Sequence, residues 1–67
     1  GKLDEALKFM DDAIAKDATN AVYYDHRGDI KFSLGKKDEA LMDWEKALEL
    51  DPENSEIEEK VRKKSLK

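Results

Sequence analysis

An all-α fold built from antiparallel helix-turn-helix units is predicted by three observations. The stretch Gly35-Lys36-Lys37-Asp38-Glu39-Ala40-Leu41 repeats Gly1-Lys2-Leu3-Asp4-Glu5-Ala6-Leu7 at a distance of 34 residues. In the same register Ala13 falls on Ala47, Asp17 on Asp51 and Asn20 on Asn54, so nine of the first twenty residues recur identically. A fixed period in this range marks stacked supersecondary units and outranks local propensity. Apolar residues recur at helical spacing within each copy, and the segments between carry cap and turn residues. The expected helices span residues 2–16, 21–34, 37–50 and 54–66.

Length and composition restrict the function classes. With 67 residues the chain forms at most one domain, too small for a large enzyme-type pocket. Charged residues make up 45% and apolar ones 39%, but the net charge of −4 is modest and the apolar residues are periodic, so a folded chain is expected over a disordered one. No Cys and a single His leave neither a disulfide framework nor a zinc cluster. No run reaches the length of a membrane span or a signal-peptide core. A reducing, cytoplasmic setting is the default expectation. The chain opens at Gly1, mid-repeat and without Met, as a piece of a longer protein would.

In the first helix Leu3, Ala6, Leu7, Met10, Ala13 and Ile14 form one apolar face, with Asp4 and Glu5 in the first turn where the helix dipole favours them. Phe9 lies off that stripe, where the second copy has Asp43, and is assigned to the edge of the core in preference to a partner contact. Asp17 to Asn20 is a short connection, with Asn20 as N-cap of the second helix. That helix has two faces: Tyr23, Tyr24, Arg27, Ile30, Lys31 and Leu34 on one, Val22, Asp25, His26, Asp29, Phe32 and Ser33 on the other. Gly28 in its interior costs about 1 kcal/mol relative to Ala, which close approach of a neighbouring helix explains.

Gly35 occupies the position where a left-handed residue stops a helix. The third helix repeats the stripe of the first with Ala40, Leu41, Trp44, Ala47 and Leu48, and the short loop before it makes it an antiparallel neighbour of the second. Trp44 is expected in the core, and Arg27 is expected to pair with Asp43. Pro52 breaks the pattern. The fourth helix starts near Asn54 or Ser55, where Ser55 and Glu58 have capping-box spacing. Its few apolar residues, Ile57, Val61 and Leu66, with Arg62 standing where Gly28 stood, describe a cap with one apolar stripe and a polar far side.

These residues resemble the tetratricopeptide repeat family. Tyr24, Gly28, Gly35, Ala40, Trp44, Ala47 and Pro52 stand at the family's spacing, so residues 21–54 correspond to a full repeat, 1–20 to the second half of a preceding one and 55–67 to a capping helix. Departures are Arg27 for the usual Leu, Lys31 for the usual aromatic, Lys37 for the usual Tyr and Ala18 for the first Pro. The resemblance implies a protein–protein interaction module whose concave groove holds a peptide segment of a partner. The family's groove positions fall on Val22, Asp25, His26, Asp29, Phe32 and Ser33, and on Glu56 and Lys60. Some members clamp C-terminal carboxylates with basic residues there, but Asp25, Asp29 and Glu56 would repel carboxylates, so a partner with basic plus apolar residues is expected. Asp25 and Asp29 could equally do no more than solvate a helix face, and His26 is expected to be an exposed helix residue.

The alternative function is a structural segment or self-association interface of a longer array. Leu3, Leu7, Phe9 and Met10 are the candidate surface for a homodimer through the first helix. The C-terminal run from Lys60 to Lys67 carries five positive charges, but residues 51–59 carry five negative ones and no aromatic residue interleaves the cations, so nucleic acid is not an expected partner. Catalysis is not expected either. The lone His has no nucleophile placed for it to activate, and Gly35-Lys36-Lys37 lacks the phosphate-loop pattern. No cofactor or metal is implied.

Overall fold

The computed structural model describes residues 1–66 and contains four helices in chain order, α1 (Lys2–Lys16), α2 (Ala21–Ser33), α3 (Lys37–Leu50) and α4 (Ser55–Lys63). No strand occurs among the described residues. Each helix packs on the next, and α2 against α3 is the most extensive contact. The shortness of the connections follows from their stop and start signals. Asn20 caps α2 by accepting from the backbone N–H groups of Val22 and Tyr23, and Asn54 does the same for Glu56 and Ile57 in α4. Asn54 is therefore the cap of α4, and Ser55 is its first helical residue.

Between α2 and α3, Gly35 adopts φ +83°, with Lys36 N–H donating to the Lys31 carbonyl at 2.8 Å and Gly35 N–H to the Phe32 carbonyl at 3.0 Å. This is a Schellman ending, and it stops α2 at Ser33, one residue before the expected Leu34. The fourth helix differs more from expectation, ending at Lys63 instead of residue 66. Lys64 takes the left-handed conformation at φ 56°, and Ser65 N–H donates back to the Lys60 carbonyl at 3.2 Å. The sequence offers no glycine there to announce the stop. Lys67, the last cation of the C-terminal run, lies outside the described residues.

The core has two connected parts. Ile14, Tyr24, Ala47 and Ile57 meet between the helices, with Tyr23, Leu48, Leu50 and Val61 packed around them. Beside them Trp44 is fully buried, as are Ala40 and Ala47 on the same face of α3. Gly28 explains how α2 and α3 come so close. A Cβ on Gly28 would lie 2.5 Å from Trp44 Cδ1 and Nε1 and 3.1 Å from the Ala40 carbonyl oxygen. The missing side chain is the space in which the indole sits.

Two expectations about α1 need correction. Phe9 does not cover the core edge; it is 72% exposed, because its helical position points past α2. Met10, assigned to a self-association surface, is only 7% exposed, since α2 already covers it, and Leu7 is half-buried. Of that candidate surface, Leu3 and Phe9 stay open.

Candidate functional site

The face of α2 that carries Asp25 and Asp29 is closed by α4. Lys60 Nζ donates to Asp25 Oδ1 at 2.8 Å and to Asp29 Oδ1 at 3.0 Å, and the Trp44 indole N–H also donates to Asp29 Oδ1 at 3.0 Å. Lys60 Nζ further lies 5.9 Å from the centroid of the Trp44 ring, within cation–π range. One ammonium thus holds three helices together. Burial alone would lower the Lys60 pKa, but the hydrogen bonds to Asp25 and Asp29 outweigh it and leave the group above its ordinary value.

The remaining sequence-assigned residues spread around this centre. Phe32 is half-buried, its ring 5.6 Å from that of Trp44 and within 5.8 Å of Lys37 Nζ. Val22, at 55% exposure, is an open apolar residue, and Ser33 and Glu56 are exposed. Glu56 and Lys60 line a depression of about 260 Å³ along α4 with Lys63 and Leu66. His26 is exposed and faces α1 instead, in a second depression beside Phe9 and Met10.

A separate polar cluster ties α1, α2 and α3 together. Arg27 donates from Nε and Nη2 to the two oxygens of Asp43, both at 2.9 Å, and from Nη1 to Asp11 at 3.0 Å. The expected Arg27–Asp43 pair is present in bidentate form. Lys31 Nζ lies 3.2 Å from Asp43 and 3.7 Å from Glu39. The hydrogen bond to Asp43 is the main reason the Arg27 guanidinium is held above its ordinary pKa. Arg27 and Lys31, at positions where the family carries apolar residues, are thus matched by one buried carboxylate on α3. This cluster is structural.

Sequence reasoning placed Asp25, Asp29 and Lys60 on one surface but missed their mutual closure. The sequence shows opposite charges on the second and fourth helices but not the crossing of α2 and α4 that brings them together. Two of the C-terminal cations are also engaged locally, with Lys63 Nζ 2.8 Å from Glu59 and Arg62 Nη2 3.9 Å from it. Glu59 is held below its ordinary pKa, chiefly by the hydrogen bond from Lys63. Among the described residues no group of His, Cys, Asp and Glu could hold a metal ion, and no helix is long and apolar enough to cross a membrane.

Residues 26–54 match the tetratricopeptide repeat family, a segment that starts within α2 and runs through α3 to the cap of α4. The chain is also similar to RNA polymerase II-associated protein 3 of Mus musculus, at 43% identity over 51 residues. That alignment takes in 76% of this chain and 8% of the relative's length. The family is a non-catalytic repeat module, and its helical repeats act as protein–protein interaction scaffolds. On the repeat register, the matched residues and the four-helix architecture, the chain belongs to the tetratricopeptide repeat family.

Proposed function

We propose that the face shared by α2 and α4 binds a peptide segment of another protein that brings a basic residue together with an apolar anchor. The observation that carries this reading is the composition of the face. Asp25 and Asp29 share the one ammonium of Lys60, two carboxylates to one cation, and the exposed Val22 lies on the same side of α2. Lys60 marks where a partner's cation would sit, since its Nζ shows that the two aspartates can share one ammonium at 2.8–3.0 Å. A partner lysine or arginine competes with Lys60 for that position, and the exposed Val22, one turn before Asp25 on α2, receives the apolar residue. The similarity to a segment of an RNA polymerase II-associated protein supports a role within a protein assembly.

Fluorescence anisotropy with labelled lysine–leucine and glutamate–leucine dodecapeptides tests the reading. The basic peptide should bind and the acidic one should not. Binding should weaken as salt rises, because exposed charges are screened beyond about 10 Å at 0.1 M ionic strength. Asp25→Asn with Asp29→Asn should reduce it at least about tenfold, as expected for loss of charge-assisted hydrogen bonds. Affinity for the basic peptide that is unchanged in this double variant would remove the face from consideration.

A further inference from the structure

The cations of the C-terminal run divide by where they reach. Lys60 crosses to Asp25 and Asp29 on α2, whereas the ion pairs of Arg62 and Lys63 stay within α4, both to Glu59. With the residues that follow they form the string Arg62-Lys63-Lys64-Ser65-Leu66. Two cations thus stand three and two places before a serine, and an apolar residue stands just after it. Among the Ser and Thr residues of the chain, Thr19, Ser33, Ser55 and Ser65, only Ser65 has cations at both preceding places.

We infer that Ser65 is a phosphoacceptor for a basic-directed serine/threonine kinase. Such an enzyme reads its substrate in extended form, with carboxylates in its cleft for the two cations and an apolar pocket for the residue after the serine. Transfer forms a bond from Ser65 Oγ to the γ-phosphorus of magnesium-bound ATP and breaks the bond from that phosphorus to its bridging oxygen. ADP leaves, and the hydroxyl proton passes to the catalytic base of the kinase.

The fold lets this segment be drawn out. α4 ends at Lys63 and Lys64 turns the chain out of the helix, so Ser65 already lies past the last helical residue. The burial that seats α4 is upstream, in Ile57 at 2% exposure and the half-buried Lys60 and Val61. Arg62, Lys63 and Lys64 are exposed, the Arg62 side chain at 69%. Straightening residues 62–66 breaks the bonds from Ser65 N–H to the Lys60 carbonyl and from Lys64 N–H to the Val61 carbonyl, and the pairs to Glu59, but withdraws no core side chain. Ser55, amid Glu53, Glu56 and Glu58, is the opposite case: extending its segment would withdraw Ile57 and undo the Asn54 cap. Once on Ser65, the phosphate adds about −1.5 to −2 charge at the carbonyl end of α4, which the helix dipole disfavours, and competes with Glu59 for Lys63. The last turn of α4 loosens, while Ile57 and Lys60 keep the rest of the helix seated.

Incubating the chain with magnesium ATP and the catalytic subunit of cyclic-AMP-dependent protein kinase, followed by mass spectrometry, tests the assignment. One phosphate should appear, on Ser65. Arg62→Gln, at an exposed position outside the core, should lower kcat/KM at least about tenfold, as expected for loss of a charge-assisted hydrogen bond to the enzyme, with helix content by circular dichroism unchanged. A peptide of residues 58–67 measures what drawing the segment out of the fold costs, and the chain should be modified within about tenfold of the peptide's rate, since a fraying helix end opens at little free energy. No transfer to the chain, phosphate on Thr19, Ser33 or Ser55 in place of Ser65, or a peptide rate exceeding that of the chain by more than about tenfold would overturn the assignment. So would a rate unchanged by Arg62→Gln.

Discussion

Gly28→Ala sets two physical effects against each other and reads out which one prevails. On helix propensity alone the substitution should stabilise α2 by about 1 kcal/mol. The added Cβ, however, falls 2.5 Å from two atoms of the Trp44 ring, and carbon contacts are most favourable at about 3.5 Å, so the indole would have to retreat by roughly 1 Å. That ring is not free to move. It is fully buried, its N–H donates to Asp29, Phe32 leans on it, and the Ala40 carbonyl limits the new methyl from the other side. Overpacking of this kind costs about 1–3 kcal/mol, so the balance is a net loss of up to about 2 kcal/mol, and Gly28→Leu loses more. Thermal melts followed by circular dichroism give the sign, since each kcal/mol shifts the midpoint by about 4–8 °C in a domain of this size. Combining Gly28→Ala with Trp44→Phe should cost less than the two changes added, because the smaller ring leaves room for the methyl. A Gly28→Ala variant that melts at or above the parent would refute the close-crossing account of α2 and α3.

Three further outcomes follow from the geometry. Asp43→Ala should cost about 2–4 kcal/mol in urea denaturation, because it strips Arg27 and Lys31 of their shared buried carboxylate, whereas Arg27→Leu with Asp43→Ala should recover most of that loss. Lys64→Gly should stabilise by about 0.5–1 kcal/mol, because a non-glycine residue pays for the left-handed conformation that ends α4; an unchanged midpoint would mean that this turn does not form in solution. The pH dependence of the Lys60 tie has a definite sign. Its folded pKa is raised, so its contribution is fully present below the ordinary lysine value near 10.5 and is lost as pH rises through the folded value. The stability difference between the parent and Lys60→Met should therefore stay level from neutrality to that point and shrink above it.

Much of this architecture was legible in the sequence because helical period and repeat register are short-range or exactly periodic signals. Gly28, Trp44 and the Arg27–Asp43 pair could be placed because the register sets their helices side by side. The stop at Lys64 could not, since a lysine in the left-handed region carries no compositional mark and the apolar Leu66 continued the expected stripe. Phe9 was misplaced for a related reason: periodicity gives its angle on α1 but not how far α2 extends across that face. The closure of Asp25 and Asp29 by Lys60 depends on the crossing of α2 and α4, which no local pattern encodes. That closure changes the candidate site from an open acidic face to one already holding an internal cation.

The central functional claim is that a partner's basic residue competes with Lys60 for the two aspartates of α2. Titrating the lysine–leucine dodecapeptide into the parent and into Lys60→Met at equal ionic strength, under conditions where both are folded, tests it most directly. Removal of the internal ammonium should tighten binding about tenfold, as a charge-assisted hydrogen bond worth about 1.5 kcal/mol becomes available to the peptide. Unchanged or weaker binding to Lys60→Met would contradict the claim.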